Sequence, residues 1–317
     1  MPQPDDKWSR YAAEQYVRPV TYLSPLGYLL GVEGVALLRR IREGTADRAF
    51  VEARIAEIRM LLDAPELAEA GACGVDASVG GVSMAEVYRD WAASYDEPNS
   101  MIDVEQPIVR AILASLPTGT ALDAACGTAR HGAYLAELGH KVIGVDASPE
   151  MLEVAARKLP NSEFHHAELH EIPLPDASAD TVVCALALSY VPDLRPVFAE
   201  FARVLRPSGH LVISDAHHLL SYVRPTLARH AADGRSSIVA EYHRPLSHYL
   251  AAALPLGFQV RQCTEPPRNS RVSALSTPPP DPMPTHVSWE LLNWCPAAAE
   301  IALDVPPIVV WHFQLAG

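Results

Sequence analysis

The sequence predicts an α/β fold, with a doubly wound, mostly parallel seven-stranded sheet preceded by a helical N-terminal extension. From Val82 onward, short apolar runs alternate with segments of helical periodicity, which is typical of such sheets. Between Asp47 and the Gly-rich stretch at 70–81, apolar residues recur at helical spacing. We therefore divide the chain into an extension with its linker, residues 1–81, and a main domain, residues 82–317.

The elements of the main domain are predicted from these runs in chain order. Helices are expected over 84–95 and 106–116 before the sheet. Ser148 is the expected N-cap of a later helix, and Pro149 its first residue. A further helical stretch is expected after Asp215. The predicted strands are 121–123, 142–146, 163–166, 181–187, 211–215, 259–264 and 308–314, and the helices among them are 131–138, 149–157, 194–205 and 246–253.

One long segment of the main domain is not expected to form regular structure. Residues 266–285 are rich in proline, which lacks a backbone donor and fixes φ. A structureless insertion of this length is either a functional lid or a disordered tail. Sequence with apolar periodicity follows it, which favours a lid.

Composition limits the classes of protein and partner. The 317 residues are 49% apolar, enough for a packed core, and the net charge of −13 disfavours nucleic-acid and anionic membrane partners. The five cysteines are far apart without a C-x-x-C pair, which fits neither a disulfide framework nor a zinc site. The N-terminus is polar, unlike a signal peptide, and Pro25 and Glu33 interrupt the most apolar early stretch. These features predict a cytoplasmic protein.

The first predicted strand leads into a loop of small residues. The stretch Leu122-Asp-Ala-Ala-Cys-Gly-Thr-Ala-Arg-His-Gly132 ends a strand and opens a helix, and its small side chains allow a ligand close to the backbone. The next strand ends in Asp146, which can accept two hydrogen bonds from ribose hydroxyls. The two strands therefore predict a nucleoside-containing ligand at the carboxyl edge of the sheet.

Two cofactor classes compete for this loop. Gly127-x-Ala129-x-x-Gly132 superficially matches the dinucleotide fingerprint of nicotinamide-dependent oxidoreductases. Asp123 argues against a diphosphate, because two like charges ~5 Å apart at an effective dielectric of ~20 repel by roughly 3 kcal/mol. The same carboxylate would favour S-adenosylmethionine (SAM), whose reactive centre is a sulfonium. The charge argument predicts SAM.

Three motifs together resemble the SAM-dependent methyltransferases of the Rossmann-like class. They are Asp123-x-x-Cys-Gly-Thr128, Gly144-Val-Asp-Ala-Ser148 followed by Met151, and the run from Leu205 to Asp215. The pattern is similar to the small-molecule, ubiquinone-biosynthesis-like enzymes and covers residues 88–313. The N-terminal zone resembles actinobacterial natural-product methyltransferases. The resemblance also implies that the final strand, 308–314, runs antiparallel to its neighbours.

The resemblance implies roles for individual residues around the cofactor. Asp146 would hold the ribose, and Tyr95 would close over the cofactor. Ala129 departs from the family, which usually has Gly there, and its methyl group could be tolerated or could narrow the cofactor channel. The complete set of implied cofactor residues is Tyr95, Asp123, Ala125, Cys126, Gly127, Asp146, Ala147, Met151, Ala167, Glu168, Leu169 and Ala185.

Four residues are candidates for chemistry on the acceptor. His217 and His218 follow Asp215 at a strand tip and could take a proton from the acceptor, or could merely cap the next helix. Tyr190 could orient the acceptor or cover the edge of the core, and His243 could line the pocket. No metal is predicted at the histidine cluster 165–170, because adjacent residues of a strand face opposite ways.

The predicted function is SAM-dependent methyl transfer to a small, apolar, secondary-metabolite-like acceptor, with S-adenosylhomocysteine (SAH) as product. The alternatives are a methyltransferase-fold enzyme with other chemistry such as cyclisation, a non-catalytic partner subunit, and a nicotinamide-dependent oxidoreductase. A homodimer is compatible with the sequence. The sequence identifies neither the acceptor nor its attacking atom.

Overall fold

The computed structural model describes residues 21–69, 73–75, 89, 92, 95–96, 100–225, 228–230, 236–238, 241–267 and 289–317. Most of the predicted lid, from residue 268 onward, and most of the predicted helix 84–95 lie outside these ranges. The chain forms two compact units. The first unit comprises Met1–Ser83, Val223–Ala240 and Ser270–Asp304, and the second comprises Met84–Tyr222, Glu241–Asn269 and Val305–Gly317.

The second unit contains the seven-stranded sheet. We number its strands β1 (Thr120–Ala124), β2 (Lys141–Asp146), β3 (Glu163–His166), β4 (Ala179–Ala185), β5 (Leu205–Ala216), β6 (Phe258–Thr264) and β7 (Ile308–Leu315). The spatial order is β6-β7-β5-β4-β1-β2-β3. Only β7 runs against its neighbours, since it pairs antiparallel with both β5 and β6 while β5, β4, β1, β2 and β3 pair in parallel. The predicted fold class is confirmed.

Helices cover both faces of this sheet, which explains why its central strands are almost continuously apolar. We number the helices of the second unit α1 (Ser100–Ala114), α2 (Arg130–Glu137), α3 (Pro149–Lys158), α4 (Leu194–Val204) and α5 (Leu246–Ala253). On one face, Phe198 of α4 makes edge-to-face contacts with Phe258 and Phe313 at ring distances of 6.3 and 6.2 Å. On the other face, Val109 and Leu113 of α1 are fully buried.

Most predicted elements of this unit are confirmed to within a few residues. Ser148 caps α3 as expected, because its side chain accepts a hydrogen bond from the backbone N–H of Met151. The helix predicted over 106–116 instead begins at Ser100 and contains Pro107. The helical stretch expected after Asp215 is wrong for the described residues, which form a 3-10 turn at Leu220–Tyr222 and the two short strands Ala228–His230 and Ser236–Ile238.

The described part of the first unit is mainly helical, as predicted. Its helices are Pro25–Arg42, Arg48–Asp63, Pro65–Glu69 and Pro296–Ala302. Arg54 donates to Glu33 inside this unit, where burial raises the pKa of Glu33 to about 8. Cys73–Val75, expected to lie in a linker, pairs with Thr21–Leu23 as a strand.

The first unit draws on three separate stretches of chain. Arg39 of the extension donates to the carbonyl of Ile301 and to Asp304, so residues far along the sequence complete this unit. The predicted division between residues 81 and 82 stays a prediction, and the first boundary between the two compact units lies between Ser83 and Met84. Among the described residues, no helix is long and apolar enough to cross a bilayer.

Candidate functional site

A cavity of about 420 Å³ lies at the carboxyl ends of the parallel strands in the second unit. The loops after β1, β2, β3 and β4 all contribute to its wall. This is the edge at which α/β sheets bind ligands. The predicted site residues in the wall are Tyr95, Ala125, Gly127, Asp146, Ala147, Met151, Ala167, Glu168, Leu169, Ala185 and Tyr190.

The wall also contains residues that the sequence interpretation missed. Each one except Val197 lies in the same strand-to-helix loops as a predicted residue, so a wider window after each strand would have found them. Val197 lies in the first turn of α4 and carries no comparable local signal. The missed residues are Ser148, His170, Ala187, Val191, Pro192 and Val197.

Asp146 joins the end of β2 to the loop after β1. Its Oδ2 accepts a 2.7 Å hydrogen bond from the backbone N–H of Gly127, and its Oδ1 accepts one of 2.8 Å from Ser148. Burial raises the pKa of Asp146, while these backbone N–H groups oppose the rise. The carboxylate is thus held in a fixed orientation at the cavity wall.

The loop after β1 uses left-handed backbone at alternate residues. Ala125, Gly127 and Ala129 have φ values of 55°, 52° and 59°. This conformation costs an L-residue roughly 1–2 kcal/mol, a cost that Gly127 avoids. Ala129 is fully buried and does not belong to the cavity wall. Of the two alternatives for its methyl group, this buried position favours tolerance over narrowing of the channel.

Asp123 lies behind the loop rather than in the cavity wall. It is 3% exposed, and its Oδ2 accepts a 2.7 Å hydrogen bond from the backbone N–H of Gly132 in α2. Burial raises its pKa to about 7, assisted by the negative charges of Asp146 and Glu105. Contact between Asp123 and a ligand stays a prediction, and the structure gives this carboxylate a role in anchoring α2.

Cys126 is a second predicted cofactor residue that lies outside the cavity wall. It is 7% exposed, and its backbone N–H donates to the carbonyl of Val145. Burial raises the pKa of the thiol well above its ordinary value, and the nearby carboxylates of Asp123 and Asp146 add to the effect. Burial and the raised thiol pKa disfavour Cys126 as a nucleophile, and its contact with a cofactor stays a prediction.

The charges on the cavity wall separate the two cofactor classes. Asp146 and Glu168 line one end, and none of the described lining residues is Lys or Arg. Two carboxylates with no lysine or arginine beside them in the described wall favour a cationic ligand over an anionic one in the cavity as a whole. The charge argument that the sequence based on Asp123 therefore rests on Asp146 and Glu168 in the structure.

A buried carboxylate that sequence reasoning missed supports the first turn of α2. Glu105 is fully buried in α1 and accepts hydrogen bonds from Arg130, His131 and the hydroxyl of Ser214, at 2.7, 2.9 and 2.9 Å. Burial alone would raise its pKa, but the hydrogen bond and charge of His131 and the charge of Arg130 hold it below the ordinary value. This network ties α1, α2 and β5 together behind the loop.

His217 does not face the cavity. It is 1% exposed, its Nε2 lies 2.6 Å from Oε1 of Glu265, and its Nδ1 accepts from the backbone N–H of Leu219 at 3.2 Å. These partners assign the neutral ring with the proton on Nε2. Both nitrogens are occupied, so the structure does not support the predicted role of His217 as a base.

The other two histidine candidates also lie outside the cavity wall. The ring of His218 packs on that of His217 at 4.6 Å, and burial lowers its pKa. His243 is exposed to solvent. Of the four predicted catalytic residues, only Tyr190 lines the cavity.

Comparison with known proteins gives this cavity a context. Residues 122–213, which span β1 to the middle of β5, match the family described as a methyltransferase domain. Within these residues the chain carries a methyltransferase domain. Asp146, Glu168 and the loop after β1 all belong to the matched part of this methyltransferase domain.

Curated relatives of the methyltransferase domain include the demethylmenaquinone methyltransferases of Listeria welshimeri and Renibacterium salmoninarum. The first is 35% identical over 144 residues, 41% of this chain and 61% of the relative. The second is 29% identical over 140 residues, 43% of this chain and 59% of the relative. The matched region thus spans about six tenths of the length of these relatives.

A solved structure from Listeria monocytogenes, assigned to the SAM-dependent methyltransferases, has the same fold. It is 21% identical to this chain with a TM-score of 0.50, and the alignment covers 67% of this chain and 97% of that one. Ala147, Met151 and Ala167 line the cavity together with Asp146, whose carboxylate can accept hydrogen bonds from ribose hydroxyls. The residues present therefore fit SAM.

Proposed function

We propose that this protein transfers the methyl group of SAM to a small, apolar acceptor. The observation that carries the proposal is the uneven polarity of the cavity. Carboxylates line the end at β2 and β3, through Asp146 and Glu168. The end at β4 is apolar apart from the hydroxyl of Tyr190, and its other lining residues are Ala185, Leu186, Ala187, Val191, Pro192 and Val197.

The sheet order relates the two ends to the parts of the cofactor. In this proposal Asp146 holds the ribose, Ala147 and Met151 lie against the adenine, and backbone at Ala185 binds the methionyl end. Since β2 and β4 flank β1, their tips are two strand spacings apart, or about 10 Å. Bound SAM supplies an electrophilic methyl group on a positively charged sulfur.

The β4 end is where the chain would bind the acceptor. Its apolar side chains exclude water, which strengthens charge interactions inside the cavity. Orientation of two reactants can supply about 7 kcal/mol or more of the lowered barrier, so positioning is the main contribution asked of this wall. Tyr190 can hydrogen-bond an acceptor hydroxyl there.

The relatives named demethylmenaquinone methyltransferases suggest a class of acceptor. A hydroxylated aromatic ring would suit an apolar wall with one phenol, because the ring packs on the aliphatic groups while its hydroxyl meets Tyr190. We therefore include hydroxylated naphthalenes and simple phenols among the acceptors to be tried.

Two measurements test the proposed function. Calorimetric titration with SAH and with NAD should give binding of SAH alone, and binding of NAD alone would overturn the proposal. Incubation with methyl-labelled SAM and the acceptor panel, followed by mass spectrometry, should place the label on an acceptor. Consumption of a substrate while the label stays on SAM would instead favour non-transfer chemistry such as cyclisation.

A further inference from the structure

The acceptor end of the cavity is built on one short turn. The 3-10 turn Leu188–Tyr190 and the residues around it supply Ala187, Tyr190 and Val191 to the wall. Just before it, Leu186 has φ 55°, a left-handed conformation that costs an L-residue roughly 1–2 kcal/mol. Such a conformation persists only where surrounding contacts enforce it.

The carboxylate of Asp215, at the end of β5, forms a hydrogen bond with the backbone of this turn. It is fully buried, and its Oδ1 accepts from the backbone N–H of Ser189 at 3.2 Å and from that of Ala216 at 2.9 Å. Its Oδ2 accepts from the hydroxyl of Tyr249 in α5 at 2.6 Å. The turn is thereby tied to β5 and α5.

The segment before α5 contacts the turn from a second side. The backbone N–H of Tyr242 donates to the carbonyl of Ser189 at 2.7 Å. The guanidinium of Arg244, which is 7% exposed, donates through Nη1 to the carbonyl of Leu188 at 2.5 Å and through Nη2 to that of Val191. One planar side chain therefore fixes both ends of the turn.

We propose that Arg244 is a positioning residue that sets the acceptor-facing wall of the cavity, an inference that rests on the proposed function. The two hydrogen bonds described above end on the turn at Leu188 and Val191, and Arg244 does not itself line the cavity. A guanidinium fork can serve two carbonyls at once, which the single ammonium of lysine cannot reproduce with the same geometry. Its effect should therefore fall on the acceptor and not on SAM.

The chain offers a matched control in Arg203. This arginine also donates to two backbone carbonyls, those of Ile172 and Leu174, at 2.8 and 2.7 Å. Neither of those residues lines the cavity. Arg203→Lys should therefore cost stability without moving the acceptor wall.

The experiment compares Arg244→Lys with Arg203→Lys and wild type in the full chain. In Arg244→Lys we expect amide hydrogen exchange over 188–191 to speed up at least tenfold, while the Kd for SAH stays within twofold. With the best acceptor from the labelled panel, KM for that acceptor should rise at least fivefold while KM for SAM is unchanged. Arg203→Lys should change none of these, whatever its loss of thermal stability.

Two results would overturn the inference: unchanged exchange over 188–191, or a loss of SAH affinity as large as the change in acceptor KM. If Arg244→Lys does not fold, Arg244→Gln, which removes the guanidinium fork but keeps one N–H donor group, replaces it with the same expectations. If the wild-type protein does not bind SAH, the proposed function is wrong, whatever the result for Arg244. If SAH binds but no acceptor is methylated, two readouts test the inference: the rate of amide hydrogen exchange over 188–191 in Arg244→Lys relative to wild type, and the Kd for SAH.

Discussion

The backbone N–H of Gly127 donates a 2.7 Å hydrogen bond to Oδ2 of Asp146, so one carboxylate both shapes the loop after β1 and faces the proposed ribose. Asp146→Ala removes the acceptors for this bond and for a sugar diol. We expect SAH binding to weaken by about 1 kcal/mol or more, about fivefold in Kd. Calorimetry checks this, with Glu153→Ala on the exposed side of α3 as the control for lost charge. Equal affinities for wild type and Asp146→Ala would mean that the ribose lies elsewhere.

Asp123 makes the stability of the protein depend on pH. Burial raises its pKa from 3.8 to about 7, so between these values the folded form binds a proton that the unfolded form lacks. The stabilisation is complete below about pH 4 and is lost as the pH rises through 7. Asp123→Asn keeps an oxygen for the N–H of Gly132 and removes the titration. Its free energy of unfolding should therefore exceed that of wild type increasingly from pH 5 to pH 8.

Urea unfolding at several pH values measures this difference. Other titrating groups are common to both proteins, so the difference between the two curves isolates Asp123. Parallel curves across this range would show that the carboxyl keeps an ordinary pKa in the folded state.

His217 is expected to matter for stability and not for proton transfer. His217→Ala removes the hydrogen bonds with Glu265 and Leu219 from a buried position, which should cost about 2 kcal/mol in the free energy of unfolding. The Kd for SAH and the rate of methyl transfer should stay near wild type. Glu265→Gln retains an acceptor for Nε2–H and should lose less stability. If His217→Ala greatly lowers the rate of methyl transfer while its free energy of unfolding is unchanged, His217 acts as a base and this prediction is wrong.

Ala177 offers a test of backbone strain away from the cavity. It is exposed and has φ 48°, so Ala177→Gly relieves an unfavourable left-handed conformation. Part of the gain is offset by the greater freedom of glycine in the unfolded chain, which leaves an expected stabilisation of about 0.5 kcal/mol. Ala156→Gly, on the exposed face of α3, should lower stability by about 1 kcal/mol. Thermal unfolding compares the two variants with wild type. A loss of stability in Ala177→Gly as well as in Ala156→Gly would contradict the left-handed backbone at Ala177.

The parts of the structure predicted from sequence are those encoded over short stretches. The predicted strands are apolar runs that end in residues such as Asp123 and Asp146. Ser148 indicates the start of α3, because serine directly before a proline is typical of an N-cap. The start of α1 was misplaced because Pro107, which usually marks a helix boundary, lies inside this helix.

Long-range partners account for what the sequence did not predict at the site. Glu105 meets Ser214 across 109 residues, and Arg244 meets Leu188 across 56. No local pattern encodes such pairs. The contact of the His217 ring with Glu265, 48 residues later, likewise has no local signal in the sequence.

The position of β7 between β5 and β6 has a consequence for biosynthesis. Residues 308–315 are made long after β5, yet β6 has no other described strand to pair with. A ribosome adds about 5–20 residues per second, so for several seconds the edge of β5 that pairs with β7 stays unpaired in the nascent chain. Chaperone binding during translation is therefore expected to concentrate on the exposed side of β5 until the closing strand emerges.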